Sequence, residues 1–169
     1  IFNNRFPKKF TNSLEGENIK TILEGRLNNK ENLTAPNFRT KDFLGKKIKL
    51  EKLRGKYVML VFWATWCPPC MEEIPLLKQL NVKYRSNELE MIGISADHDY
   101  DKFKEVVKSE NLNWKQVYGD INIPKIYGVN FYPTIFLLDK EGTIVYSSKE
   151  DPISKMINVL NENLNYEIY

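Results

Sequence analysis

The sequence of 169 residues has neither a long hydrophobic run nor a large excess of charge of one sign. No apolar stretch approaches the roughly 18 residues that a membrane-spanning helix needs. The net charge of +3, from 25 basic and 22 acidic residues, is too small and too scattered to indicate nucleic-acid binding. Hydrophobic residues make up 42% of the chain, as in an ordinary globular domain. The chain begins at Ile1 rather than Met, and we expect membrane contact only through an N-terminal anchor removed before this residue.

Cysteine and histidine are also scarce. Cys67 and Cys70 are the two cysteines, in the pattern Cys-Pro-Pro-Cys, and His98 is the single histidine. The loop between such close cysteines is too short to hold a small disulfide-rich fold together. These three ligands fall short of the four of a tetrahedral zinc site, and Met71 stands where a haem-attachment motif has histidine. We therefore expect no metal site and no cofactor, and interpret the pair as redox-active.

The cysteines follow an apolar segment at 57–63, Tyr-Val-Met-Leu-Val-Phe-Trp, which predicts a strand buried on both faces of a mainly parallel sheet. A helix is predicted from the cysteines to about Arg85, because apolar residues there recur at near-helical spacing. The apolar segment 89–95 predicts the next strand. A strand, a helix and a second strand indicate an α/β fold with a right-handed crossover.

Two hairpins are predicted further from the cysteines, one over 38–50 and one over 135–146. The organised pattern begins near Ala35, and we assign residues 35–169 to the main domain. Residues 1–34 are polar and rich in asparagine, and we interpret them as an N-terminal extension that packs on this domain or is left from a removed neighbour.

Capping residues predict two further helices. Asp99 is expected to cap a helix after the second strand. Asp151 is expected to be the N-cap of the last helix, with Pro152 at its first position. The segment 114–127 between these helices is predicted to be a loop. The predicted order is therefore strand, helix, strand, helix, and then two strands and a helix.

The junction of the first buried strand with its helix concentrates the chemistry. A helix N-terminus lowers the pKa of a thiol through its dipole and its free N–H groups. We therefore predict that Cys67 is the exposed nucleophile and that Cys70, one turn further on, resolves the mixed disulfide. Pro68 and Pro69 fit the first helical turn but remove two amide donors, so Cys67 should be less acidic than in motifs with other residues there.

Several motifs together resemble one known family. They are Phe62–Cys70 (FWATWCPPC), Pro75, Tyr132-Pro133-Thr134 and the opening Ala35–Phe38 (APNF). Residues 35 to about 160 resemble the thioredoxin fold, and most of all its TlpA/ResA-like branch of membrane-tethered, extracytoplasmic proteins. The resemblance implies a central mixed β-sheet flanked by helices, with an N-terminal β-hairpin extension. It also implies thiol–disulfide exchange with proteins at the outer face of a bacterial membrane, usually as a reductant, with electrons from an upstream thiol–disulfide donor.

The resemblance also implies the substrate-binding residues. Pro133 should be a cis-proline that faces the cysteines, although only about 5% of X-Pro bonds in folded proteins are cis. Tyr132 would then offer backbone groups to an extended substrate strand. Trp66 would supply an apolar flank for docking, although a tryptophan beside a core strand is as often part of the packing.

One position departs from the thioredoxin pattern. Cytoplasmic thioredoxins carry a buried aspartate six residues before the first cysteine, where this chain has Val61. Glu73 is placed to accept the proton of Cys70 instead, because residues i and i+3 share a helix face. ResA-like proteins have a glutamate at the matching position. The alternative is that Glu72 and Glu73 are both first-turn acids favoured by the helix dipole.

Two other functions were weighed. A thiol peroxidase of the related peroxiredoxin kind carries P-x-x-x-T-x-x-C, which would place proline and threonine where Leu60 and Ala64 stand. A copper carrier would use the two thiolates together with His98, since Cu(I) accepts soft thiolate ligands. Copper carriers generally have a wider cysteine spacing and a histidine further along the chain.

Overall fold

The computed structural model describes residues 33–84 and 88–164. The strands in these ranges are β1 (Arg39–Lys41), β2 (Lys47–Lys49), β3 (Tyr57–Trp63), β4 (Leu89–Ser95), β5 (Lys115–Tyr118), β6 (Thr134–Leu138) and β7 (Ile144–Ser147). The α-helices are α1 (Pro68–Tyr84), α2 (Tyr100–Ser109), α3 (Asn122–Ile126) and α4 (Ile153–Asn163), and Leu50–Leu53 form a 3-10 turn.

Strand β3 lies at the centre of a five-stranded sheet of order β5-β4-β3-β6-β7. It pairs in parallel with β4 along its whole length and antiparallel with β6. All seven of its residues are buried, which explains why the sequence shows no polar alternation there. The expected central mixed sheet is therefore confirmed.

Alternation along β3 divides the core into two layers. Its odd-numbered residues from Tyr57 to Trp63 pack with buried side chains of α1, α2 and α4. Its even-numbered residues, from Val58 to Phe62, pack with the first hairpin and with Ile123 and Tyr127 in and after α3. Helices therefore cover both faces, and the cysteines follow the carboxyl end of β3.

The first predicted hairpin is present as a separate two-stranded sheet, in which Arg39 pairs with Lys49 and Lys41 with Lys47. The second is present as β6 and β7. Its turn contains Gly142 at a φ of 83°, and a Cβ there would lie 1.9 Å from the Arg54 guanidinium. The left-handed backbone favours glycine there, whereas the Arg54 side chain is long and flexible enough to move away from a Cβ.

The prediction of a loop over 114–127 is wrong, because this segment contains β5 and α3. Strand β5 has only four residues and carries a buried polar side chain, Gln116, at a position where a strand pattern calls for an apolar residue. The Oε1 of Gln116 accepts the indole N–H of Trp63 at 3.1 Å, whereas its buried Nε2 donates to no described residue, so the side chain is only half satisfied. Helix α3 is short and contains Pro124, which hides it from a periodicity argument.

The start of the last helix is also corrected. Asp151 is not its N-cap: Pro152 is, with an extended backbone, and the helix begins at Ile153. The Asp151 carboxylate instead accepts a hydrogen bond from the Lys155 ammonium at 2.9 Å, so it is engaged with a side chain of the first turn.

The described chain begins on one edge of the sheet and crosses to the other. The Ile144 N–H donates to the Leu33 carbonyl and the Ala35 N–H to the Gly142 carbonyl, each at 2.9 Å, beside β7. The Phe43 N–H then donates to the Gln116 carbonyl of β5 at 2.8 Å. The predicted extension at 1–34 lies almost entirely outside the described residues, and within those residues no helix is long and apolar enough to cross a bilayer.

Candidate active site

The two cysteines lie where β3 gives way to α1, as expected. Cys67 immediately precedes the helix, Cys70 is in its first turn, and a disulfide joins them with their Cα atoms 5.3 Å apart. Pro68 and Pro69 have no N–H, so the first amide of the helix that can donate is that of Cys70. It lies 3.3 Å from the Cys67 Sγ and donates to it. The same N–H donates to the Cys67 carbonyl at 3.0 Å, so one helix amide is shared between this oxygen and the sulfur predicted to be nucleophilic.

The expectation that Cys67 is exposed is wrong for this oxidised state. Cys67 is 4% exposed and Cys70 3% exposed, so both sulfurs are covered almost equally. Cys67 packs in the same core layer as Trp63 and Ala64, which hold it against the end of the sheet. Burial therefore does not distinguish the two cysteines, and their different roles must come from their places relative to the helix.

A buried carboxylate fixes the loop that leads into Cys67. Asp97 follows β4 and is 4% exposed. Its Oδ1 accepts the Thr65 hydroxyl at 2.7 Å and the Thr65 N–H at 3.0 Å, and its Oδ2 accepts the Ser95 hydroxyl at 2.7 Å. Three donors from two strand ends thus satisfy one carboxylate, as a buried charge requires. Sequence reasoning missed this group, although the Ser-x-Asp pattern at the carboxyl edge of a buried strand was a signal for it.

Trp66 and Tyr132 form an aromatic border beside the cysteines. Their rings meet edge to face with centroids 5.8 Å apart, and Trp66 is 56% exposed. The Tyr132–Pro133 peptide bond is cis, as the resemblance implied. The two rings border a groove of about 400 Å³, here called the Trp66 groove, which continues past Asp97 and His98. His98 is exposed, as expected for a loop histidine.

Glu73 and Cys70 line one small cavity of about 10 Å³ together with Pro133 and Val61. The Glu73 Oε2 is buried and accepts no hydrogen bond from any described residue. Burial raises the pKa of this carboxyl above its ordinary value. The alternative of two first-turn acids is wrong, because the first turn of α1 contains no acidic residue. Glu72 is exposed, so the two neighbours differ in environment.

The structure places five of the six predicted site residues at two cavities, and Cys67 is joined to one of them, Cys70, by the disulfide. Cys70, Glu73 and Pro133 share the small cavity, and Trp66 and Tyr132 share the groove beside it. In the part of the chain that the structure describes, no three side chains of histidine, cysteine, aspartate or glutamate gather as metal ligands would. His98 thus does not complete the three-ligand set that the copper alternative required.

Comparison with known proteins adds a family and several relatives. The model of the AhpC/TSA family matches residues 32–147. A protein named thiol-disulfide oxidoreductase ResA from Bacillus cereus (strain ATCC 10987) is 35% identical over 142 residues, which are 81% of this chain and 82% of the relative. Its namesake from Bacillus subtilis (strain 168) is 33% identical over 125 residues, 73% of this chain and 70% of the relative. The solved thioredoxin domain of a thiol-disulfide oxidoreductase from Bacteroides vulgatus is 25% identical with a TM-score of 0.71, covering 80% of this chain and 99% of that one.

Proposed function

Because the chain belongs to the AhpC/TSA family and is a thiol-disulfide oxidoreductase of thioredoxin-like fold, we propose that Cys67 and Cys70 are its reactive pair and that protein disulfides are its substrates. The resemblance found in the motifs is confirmed at the level of family, fold and type of enzyme. The observation that carries the proposal is the position of the Cys67–Cys70 disulfide at the start of α1, directly after Trp66, which borders an open groove.

The exchange moves two electrons from the protein to its client. The Cys67 thiolate attacks one sulfur of a client disulfide, which forms a mixed disulfide and releases the other client sulfur as a thiolate that takes up a proton. Cys70 then loses its proton and attacks the Cys67 sulfur, which forms the disulfide of this structure and releases the second client thiolate. An upstream dithiol reduces the pair again by the same steps in reverse.

The position of the helix supports a first attack by Cys67. The N–H of Cys70 donates to the Cys67 sulfur as well as to the Cys67 carbonyl, and the helix dipole favours negative charge at that end. Cys70 lies inside the turn, where it faces Glu73 across the small cavity. These positions support a thiolate at Cys67 before one at Cys70, and so the proposed order of the two attacks.

Glu73 supports the second step as the acceptor of the Cys70 proton. Val61, on the strand below, offers no acid, and Glu73 is the acidic side chain among those that line the cavity with Cys70. A carboxyl whose pKa is raised by burial is a better proton acceptor than an ordinary one. The carboxyl and the two thiols then titrate as a coupled set, so their pKa values belong to the set.

The Trp66 groove supports a protein client rather than a small molecule. It is open, and its border combines the apolar faces of Trp66 and Tyr132 with backbone at the Tyr132–Pro133 bond. An extended segment that carries a disulfide can lie along such a border and pair with exposed backbone groups. We place this activity outside the cytoplasm, as a reductant tethered through an N-terminal anchor, on the likeness to the ResA-like branch.

Trapping tests the roles of the two cysteines. The probe is a synthetic peptide with one intramolecular disulfide, mixed with the reduced protein and followed by intact mass. Cys70→Ser should accumulate the mixed disulfide with the peptide, because the resolving thiol is gone. Cys67→Ser should accumulate little, and Cys67→Ser/Cys70→Ser none. Faster trapping by Cys67→Ser than by Cys70→Ser would reverse the assignment and contradict the proposed mechanism.

A further inference from the structure

A second groove lies beside the first hairpin and carries an excess of positive charge. Its volume is about 720 Å³, and it runs between the two-stranded sheet β1-β2 and the segment that joins β5 to α3. Four cationic side chains line it, against two carboxylates. The cations are Arg39, Lys41, Lys47 and Lys49, and we call the feature the hairpin groove.

The strand register concentrates these charges on one face of the hairpin. Arg39 lies opposite Lys49, and Lys41 lies opposite Lys47. Residues directly opposite in an antiparallel pair have neighbouring side chains, and like charges in such positions lower the stability of the sheet. Two like-charged pairs side by side on a short hairpin therefore do not arise from the needs of folding.

The acidic side chains of the hairpin groove are already engaged. The Oδ1 of Asp42 accepts the Leu44 and Lys46 N–H groups of the hairpin turn, at 3.0 and 2.7 Å. The Oδ1 of Asp120 accepts the Asn122 N–H at 3.1 Å, at the start of α3.

Just outside the groove, Glu51 accepts the Arg39 Nε at 2.7 Å. Lys49 also attracts the Glu51 carboxylate, and a backbone hydrogen bond together with Arg39 and Lys49 holds the pKa of Glu51 below its ordinary value. Within the described ranges, Lys41 and Lys47 form no ion pair, so their charge is available to a partner.

The hairpin groove is continuous with the Trp66 groove. Both are lined by the same stretch at 118–121, which includes Ile121 as a 62% exposed apolar residue at their common border. A chain that lies against Trp66 can therefore extend past Ile121 to the lysines of the hairpin. We propose that the hairpin groove binds an acidic segment of the client protein next to the disulfide that is reduced. The proposal rests on the proposed function of the cysteines.

The position of the site favours a protein segment over an anionic membrane surface. The lysines line a wide, shallow groove that shares residues 118–121 with the Trp66 groove, so one client segment can contact both, whereas a bilayer presents its charge as a flat plane. Exposed charges that complement a partner act mainly by steering its approach, and they do so most at low salt. The expected effect is therefore on the rate of exchange with acidic clients.

The test compares two disulfide peptides that differ in charge alone. Each contains the same intramolecular disulfide and an eight-residue tail at each end, of alternating Asp and Gly in one peptide and Asn and Gly in the other. The reduced full chain should reduce the Asp-tailed peptide roughly five- to tenfold faster at low ionic strength, and 0.5 M salt should remove most of the difference. Equal rates for the two peptides at low salt would overturn the docking proposal, whereas no reduction of either would contradict the proposed function itself.

Matched variants locate the effect. Lys41→Gln/Lys47→Gln/Lys49→Gln should lose the preference for the Asp-tailed peptide, keep its rate on the Asn-tailed peptide, and unfold at the same or a higher temperature because like-charge repulsion is removed. The control, Lys83→Gln/Lys104→Gln/Lys108→Gln, removes three exposed lysines that line neither groove and should keep most of the preference. A control that loses the preference equally would show that overall charge is responsible and would contradict the proposal.

Vesicles containing 30% phosphatidylglycerol provide the remaining arm. If the parent protein binds these vesicles, the Lys41→Gln/Lys47→Gln/Lys49→Gln variant does not, and the parent shows no preference between the two peptides, the groove binds a lipid surface. That result would overturn the inference. Absence of such binding, with the peptide preference present, supports it.

Discussion

Glu73 differs from its neighbour Glu72 in the surroundings of its carboxylate. One oxygen of Glu73 is buried next to Cys70, and burial raises its pKa, whereas Glu72 is exposed. Glu73→Gln should leave attack by Cys67 unchanged but slow the resolution step by about tenfold or more near neutral pH, because the proton acceptor is lost. The mixed disulfide should accumulate in single-turnover reduction of a model disulfide, followed by mass, and should decline at higher pH as hydroxide replaces the carboxylate.

The same variant has an opposite effect on stability. Burial raises the pKa of the Glu73 carboxyl in the folded state, so the folded protein keeps this proton to a higher pH than the unfolded chain does. The free energy of unfolding therefore falls as the pH rises from the unfolded-state pKa to the folded-state pKa. Glu73→Gln removes that loss, so it should unfold at a higher temperature than the parent near pH 7 and at a similar temperature below about pH 4. Glu72→Gln is the matched control, since its side chain is exposed. If both variants resolve the mixed disulfide at the parental rate, Glu73 has no part in the proton transfer.

At the scale of elements, two aspartates in the segment between β4 and α2 make contacts with different structural effects. Asp97 accepts both donor groups of Thr65 and so holds the turn before Cys67 against the end of β4. Asp99 accepts the Lys102 N–H at 3.0 Å and caps α2, as the sequence predicted. The first contact joins two elements of the active site, and the second stabilises one helix alone.

Substitution of each aspartate separates the effect on the active-site turn from the effect on helix stability. Asp97→Asn places an amide donor among hydroxyl and N–H donors, so the free energy of unfolding should fall by about 1–3 kcal/mol. Attack by Cys67 on a model disulfide should slow several-fold, because the turn at Thr65 is no longer fixed. Asp99→Ala should lower the free energy of unfolding by about 1 kcal/mol, the usual value for an N-cap, and leave the rate of attack by Cys67 unchanged. Urea unfolding and stopped-flow measurements on the reduced proteins report the two quantities. Equal attack rates in the two variants would show that Thr65 does not need its anchor.

At the scale of the whole molecule, the redox preference of the cysteines is tied to folding. The stability difference between the oxidised and reduced forms measures how much more strongly the folded chain favours the disulfide than the unfolded chain does. A protein that acts as a reductant should therefore be more stable when oxidised. Urea unfolding with and without dithiothreitol should show a difference on the order of 2 kcal/mol, about the loop-closure value for so short a ring. Greater stability of the reduced form would indicate an oxidant instead.

Much of the fold can be predicted from the sequence because many of its strands and helices follow from local patterns of residues. The seven-residue apolar run predicted β3, and the segment after it predicted that the two cysteines lie at the start of α1. The burial of Cys67 was missed because it depends on how Trp63 and Ala64 pack around it, which no local pattern contains. The role of Asp97 was missed for the same reason, since its partner Thr65 is 32 residues away.

The segment around Gln116 shows a second kind of limit. A buried glutamine is unfavourable in a strand unless a partner meets it, and that partner, the indole of Trp63, lies on the far side of β4 in the sheet order. The hydrogen bond that makes the strand acceptable exists only after the sheet has assembled. Short elements supported by such long-range contacts cannot be found by counting apolar residues.

The stretch from Leu33 to Phe43 has a consequence for the behaviour of the protein in concentrated solution. Its backbone hydrogen-bonds beside β7 at one end and to β5 at the other, which are the two edges of the five-stranded sheet. Unpaired edge strands are templates on which further chains add and aggregate. A single crossing segment that covers part of both edges leaves fewer free backbone groups there for extended chains to recognise. The segment from Leu33 to Phe43 thus limits fibril-like addition of further chains at both edges of the sheet.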